Sequence, residues 1–187
     1  MKTFKKLTAL TLLTASMTLP SFIVNAENNG GMRIAIIKGA VGSNDIINGN
    51  YQQATSKLAT LPLEPISANK HAEIEYAMGL CAAFIKMDKL SQAKKACTNA
   101  IDSLDALNSS SQQIKYLTAM SYSNRGIAKY LADDTQGAYD DITTAMLIDG
   151  NDVVKENLIQ FKKTISTDNL YSSTMPVADH SHLLNAE

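Results

Sequence analysis

Few side chains in this sequence have types and spacing suited to chemistry. The sharpest pair is Cys81 and Cys97, the only two cysteines among 187 residues. Lys89, in the turn Asp88-Lys89, lies midway between them, and the pattern on either side is helical. In an antiparallel helical hairpin, residues equidistant from the turn lie level, so the two sulfurs are placed to meet. In an oxidising compartment the natural product is a disulfide between the two helices. The alternative is two buried free thiols packing as small apolar residues. A catalytic redox pair would want Cys-x-x-Cys at a helix start, which this spacing is not.

The three histidines offer little. His180 and His182, with Asp179, sit in a polar tail two residues apart and lack a third ligand cluster. His71 stands alone at a helix start and reads as a surface residue. Asp149-Gly150-Asn151-Asp152, followed by Glu156, has a flavour of a calcium loop but lacks its glycine and closing glutamate, so it reads as a turn with Asp152 as helix cap. Asp133, Asp134, Asp140 and Asp141 read as a solvated acidic face, with Asp134 and Asp140 able to meet a basic partner. Gly39-x-x-Gly42-Ser43 lacks the Gly-Lys-Ser/Thr of a phosphate loop, and no Gly-x-Ser-x-Gly elbow occurs. The expectation is a chain with no catalytic residues, no metal and no cofactor.

The elements that position these residues begin after a leader. Lys2, Lys5 and Lys6 precede an apolar run from Leu7, Pro20 breaks it, and Val24-Asn25-Ala26 is a cleavage pattern. Residues 1–26 therefore read as a secretory signal peptide, the apolar core being too short for a membrane anchor. Removing three lysines takes the basic count from 17 to 14 against 18 acidic residues, so the mature chain carries −4. That charge does not attract phosphate backbones or anionic membranes. No later run of about 18 apolar residues exists to span a bilayer. The expected location is periplasmic or secreted, with no nucleic-acid partner and no membrane insertion once the leader is gone.

Residues 27–38 read as a flexible leader and an extended arm, with Met32–Lys38 rich in isoleucine. A brief helix capped by Ser43 or Asn44 follows, then a helix from Tyr51 to Thr60 ended by Pro62 and Pro65. Apolar residues recur at helical spacing over 72–87, 90–107, 112–132, 134–148 and 153–165. From Ser166 to residue 187 the chain is polar and reads as a disordered tail. Helices joined by tight turns with no convincing sheet predict an all-α array.

Small residues recur at intervals of twelve and seven: Gly126, Ala138 and Ala145, and before them Cys81, Ala93 and Ala100. Gly42, Ala54 and Leu61 repeat the spacing in the first hairpin. With Tyr122 and Phe84 at the aromatic positions, this pattern over residues 39–165 resembles the tetratricopeptide repeat (TPR) family, although its steps of 39 and 45 exceed the usual period near 34. The resemblance implies antiparallel helical hairpins stacked as a short right-handed solenoid. It also implies a non-enzymatic binding or scaffold module taking a protein or peptide in a concave groove. By matching position, that groove would be lined by Met78, Ala82, Ile85 and Lys86 from one hairpin and Ser123, Ile127 and Tyr130 from the next. The alternative is that these residues only pack against a neighbouring helix or against the arm Met32–Lys38 folded back on them. A homodimer, or an accessory subunit of an envelope enzyme or secretion complex, is the alternative function.

Overall fold

Three helix–helix turns in this protein, one within each hairpin, are built alike. In the computed structural model, which describes residues 21–25, 31–61 and 69–174, helix α1 (Ser43–Ile47) leads into α2 (Tyr51–Ala59) through Asn48-Gly49-Asn50. Helix α3 (Lys70–Lys86) leads into α4 (Leu90–Asp105) through Met87-Asp88-Lys89. Helix α5 (Gln112–Leu131) leads into α6 (Thr135–Ile148) through Ala132-Asp133-Asp134. The middle residue is left-handed each time, with φ of 81° at Gly49, 57° at Asp88 and 61° at Asp133. In each turn the third residue's N–H reaches back five residues: Asn50 to Asp45 O, Lys89 to Phe84 O and Asp134 to Lys129 O, at 2.8–2.9 Å. This closure satisfies carbonyls that a helix end leaves unpaired. Glycine takes the left-handed conformation freely, and aspartate is among the few other residues that tolerate it.

Side-chain caps begin α3, α5 and α6, while α4 follows Lys89 without one. Asn69 Oδ1 accepts from the N–H groups of His71 and Ala72, and Ser111 Oγ from Ile114 N. Asp134 Oδ1 accepts from Gly137 N at 2.9 Å. The last helix, α7 (Asp152–Thr174), is capped by Asn151, whose Oδ1 accepts from Val153 N and Val154 N. That corrects the expected cap at Asp152, which lies one residue inside the helix. Helix α1 likewise follows Gly42 and has no side-chain cap from Ser43 or Asn44.

Helix α7 also runs past Ile165, so residues 166–174, expected in an unstructured tail, are helical. The hydroxyls of Ser166 and Thr167 donate to the carbonyls of Lys162 and Lys163 four residues back, and so join the helix instead of competing with it. No glycine or proline intervenes before Pro176. Residues 175–187, including His180 and His182, lie outside the described residues, as do Pro62 and Pro65.

The described residues are mainly helical, as the pattern of apolar spacing predicts. The extended arm is strand β2 (Arg33–Ile37), and it does not stand alone. It pairs antiparallel with strand β1 (Ser21–Asn25), in the register Phe22 opposite Ile36 and Val24 opposite Ile34. A strand was not expected at residues 21–25, which fall inside the proposed leader. Of that leader, residues 1–20 and 26 lie outside the described residues.

The core forms two clusters, with β2 between them. Met32, Ile34 and Ile36 join a cluster containing Ala82, Ile85, Ile127 and Phe161, while Ala35 and Ile37 join one containing Met78, Leu117, Met120 and Val154. Alternate side chains of a strand point to opposite faces, and here both faces meet protein. That is why Met32–Ile37 reads as an apolar run interrupted only by Arg33 and not as a half-polar alternation.

The hairpins close through small residues. A Cβ added at Gly126 would stand 2.6 Å from Ile142 Cγ1 and 3.2 Å from Ala138 O. Ile142 is fully buried, so it has little room to yield. Gly126→Ala should therefore lower stability by roughly 1–2 kcal/mol, with overpacking outweighing the helix propensity that alanine gains. A urea-unfolding midpoint equal to or above that of the parent protein would show that α5 and α6 do not approach so closely.

Candidate functional site

Strand β2 lies against α3 and α5, the first helices of two hairpins, and against α7. Two buried asparagines on these helices grip its backbone. Asn124 of α5 accepts from Ala35 N at 2.8 Å through Oδ1 and donates from Nδ2 to Ala35 O at 2.9 Å. Asn157 of α7 does the same for Arg33, accepting from its N–H at 2.6 Å and donating to its carbonyl at 2.9 Å. Nδ2 of Asn157 also donates to Ser123 Oγ, which ties α7 to α5. Each side-chain amide thus stands in for one residue of a neighbouring strand, with both donor and acceptor used. Arg33 adds an ion pair with Glu156 across the same junction.

The residues assigned to a groove gather on this face. Ala82, Ile85 and Ile127 are buried in the cluster that contains Met32, Ile34 and Ile36, with Tyr130 packed against it. Met78 is buried in the cluster containing Ala35 and Ile37, and Ser123 is buried beside Asn157. The chain's own strand occupies the face they line. Only Lys86 and Tyr130 keep partial exposure. Burial holds the Lys86 ammonium below the usual lysine range by making its charged form costlier. The Tyr130 ring meets Phe161 edge to face at 5.5 Å.

Cys81 and Cys97 form a disulfide with a Cα–Cα distance of 5.0 Å and both residues buried. It joins α3 to α4 at the level the mirror argument gives. The corresponding pair in the next hairpin, 45 residues on, is Gly126 and Ile142. One hairpin is closed there by a covalent bond and the other by a bare backbone against a side chain.

The acidic stretch near Asp134 is only partly a solvated face. Asp141 is 4% exposed and accepts two hydrogen bonds from Arg125 Nε and Nη2, each 2.8 Å, with Lys129 Nζ at 2.9 Å. Arg125 also donates to Thr98 of α4 and lies 5.0 Å from the Tyr122 ring centre, so one guanidinium links α4, α5 and α6. The hydrogen bonds to Asp141 raise the Arg125 pKa above the usual arginine value. Asp134 caps α6, and Asp140 accepts from Gln136.

Reasoning from sequence passed over Asn124, Asn157 and the Arg125–Asp141 pair. The asparagines carried a signal: Asn124 interrupts an otherwise apolar helix face, and a buried amide there needs a partner from outside its helix. Arg125 and Asp141 are equidistant from Asp133, and the symmetry used for the cysteines would have found them.

Among the described residues no three His, Cys, Asp or Glu side chains converge to hold a metal ion. No helix among them is long and apolar enough to cross a membrane. A scan against protein-family models finds no match, and neither does a search of characterised proteins. The site's chemistry must be read from its geometry: main-chain recognition of an extended segment, reinforced by apolar contact.

Proposed function

We propose that the chain is an exported, non-enzymatic helical-repeat module of TPR-like build that binds a partner protein or peptide. The observation that carries this is the double grip of Asn124 and Asn157 on strand β2. A face that holds an extended chain by its backbone is suited to peptide recognition, in which main-chain bonds give affinity and side-chain contacts give selectivity. Support for the repeat reading comes from the three turns with one hydrogen-bond pattern and from the contacts of α3 with α5 and α5 with α7. These are the neighbours that stacked hairpins require. In this reading the N-terminal arm is a built-in occupant of the concave face, and a partner meets the module at its rim.

A photo-crosslinking residue placed at Lys86, in cells exporting the protein, should give a discrete adduct. The same residue at Leu147, 88% exposed on α6, should give none. Equal adducts from both positions, or none from Lys86, would count against the reading. Exposed Leu147 and Ile159 favour the homodimer as a second reading. Light scattering that shows a monomer at high concentration removes it.

A further inference from the structure

The inner edge of β2 is engaged at Arg33 and Ala35, whose N–H and C=O groups are taken up by Asn157 and Asn124. Successive residues of a strand direct their backbone groups to opposite edges. Ile34 and Ile36 therefore offer theirs to the outer edge, where β1 is paired opposite them through Val24 and Phe22. Residues 21–25, Ser-Phe-Ile-Val-Asn, all lie ahead of the cleavage position after Ala26. Their removal leaves two donors and two acceptors without strand partners, on a strand whose Ile34 and Ile36 side chains are buried in the core. Such an edge is a template for another strand. Retreat from it is blocked, because the asparagines pin β2 from behind.

We infer that the outer edge of β2 is a strand-acceptor site, covered by residues 21–25 in the precursor and opened when the leader is removed. Its occupant in the mature protein is an extended, apolar segment of a partner protein, added antiparallel as β1 is. The chemistry of the occupant is given by the strand seated there: a short run of aromatic and β-branched residues with free backbone N–H groups at alternate positions. This rests on the export and binding reading above and names the surface that reading uses. The other candidate surfaces are weaker. The open cleft at Gly49, Tyr51, Met87 and Lys89 has no buried polar group directed into it, and Leu147 and Ile159 are single exposed side chains on separate helices that serve only the homodimer reading.

The test uses the chain beginning at Glu27, the full chain, and a synthetic peptide of sequence Pro-Ser-Phe-Ile-Val-Asn-Ala. Titration into the isotopically labelled chain from Glu27 should shift the amide signals of Ile34 and Ile36 and saturate below ~1 mM peptide. The full chain, whose edge is already filled, should bind at least about tenfold more weakly. A peptide N-methylated at the residues matching Phe22 and Val24 should also lose about tenfold, because each methyl removes one donor. Absence of saturable shifts at Ile34 and Ile36 overturns the acceptor edge, as does equal binding of the N-methylated peptide, which would mark simple apolar adhesion. The mass of the exported protein separates this from failure of the export reading. A chain starting at Glu27 supports an opened edge, and retention of residues 21–25 overturns the opening even if the peptide binds the shorter chain.

Discussion

Reduction of the Cys81–Cys97 disulfide should cost the protein about 3 kcal/mol of stability and move its urea midpoint down by roughly 1–2 M. The bond closes a loop of about 15 residues, and the chain-entropy model gives that magnitude for a loop of this size. Both residues are buried, so reductant alone should act slowly on the folded protein and quickly once denaturant opens it. Comparing the oxidised and reduced forms of the same chain removes any contribution from altered packing volume. The loss should also be local. Amides of α3 and α4 should lose more protection from hydrogen exchange than those of α5 and α6, whose hairpin is closed by Gly126 and Ile142. Coincident unfolding curves for the two forms would show that the bond contributes nothing.

Asn124 should be the most sensitive polar side chain in the molecule. Asn124→Ala leaves the N–H and C=O of Ala35 without partners in the core, and each buried unpaired group costs about 1–3 kcal/mol. The expected loss is thus roughly 2–6 kcal/mol, comparable with a large truncation in a core. Asn124→Leu is the sharper variant because it keeps most of the volume and removes only the hydrogen bonds. Either variant can relieve the penalty by letting β2 leave its face, and that has its own signature. Trypsin should then cut after Arg33 or Lys38 under conditions in which the parent chain resists. An unchanged melting temperature together with unchanged cleavage would mean that the amide does not hold the strand. Asn157→Ala should cost less, since Arg33 is only half-buried and water can replace part of what is lost.

The helices were legible because their signals are local. Apolar residues at three- and four-residue intervals, and left-handed turns at Gly49, Asp88 and Asp133, depend on neighbours in the chain. The Cys81–Cys97 pair was legible for a related reason. A tight turn converts distance along the chain into level across the hairpin, and Arg125–Asp141 obeys the same rule. The end of α7 was misread because a polar stretch with few apolar residues was weighed as unable to order, while the hydroxyls of Ser166 and Thr167 bond back to carbonyls of the same helix.

The groove was legible only as a set of positions. Met78, Ala82, Ile85, Ser123 and Ile127 were placed on one face by matching position in the repeat, and all five are buried, the apolar four in the two clusters that also take up β2. What fills it depends on contacts between residues 124 positions apart, such as Arg33 with Asn157. No periodicity encodes such a pairing. An asparagine on a helix face has the same sequence whether it meets water, a partner or the chain's own arm.

The sequence by itself determined the helical hairpins, the level of the two cysteines and the closeness of Gly126 to its neighbouring helix, because turns and small residues act over short stretches of chain. Tertiary structure alone decided that Met32–Ile37 lies in the face lined by α3, α5 and α7. Buried backbone groups must find partners, and for Arg33 and Ala35 the partners were amides carried on helices far along the chain.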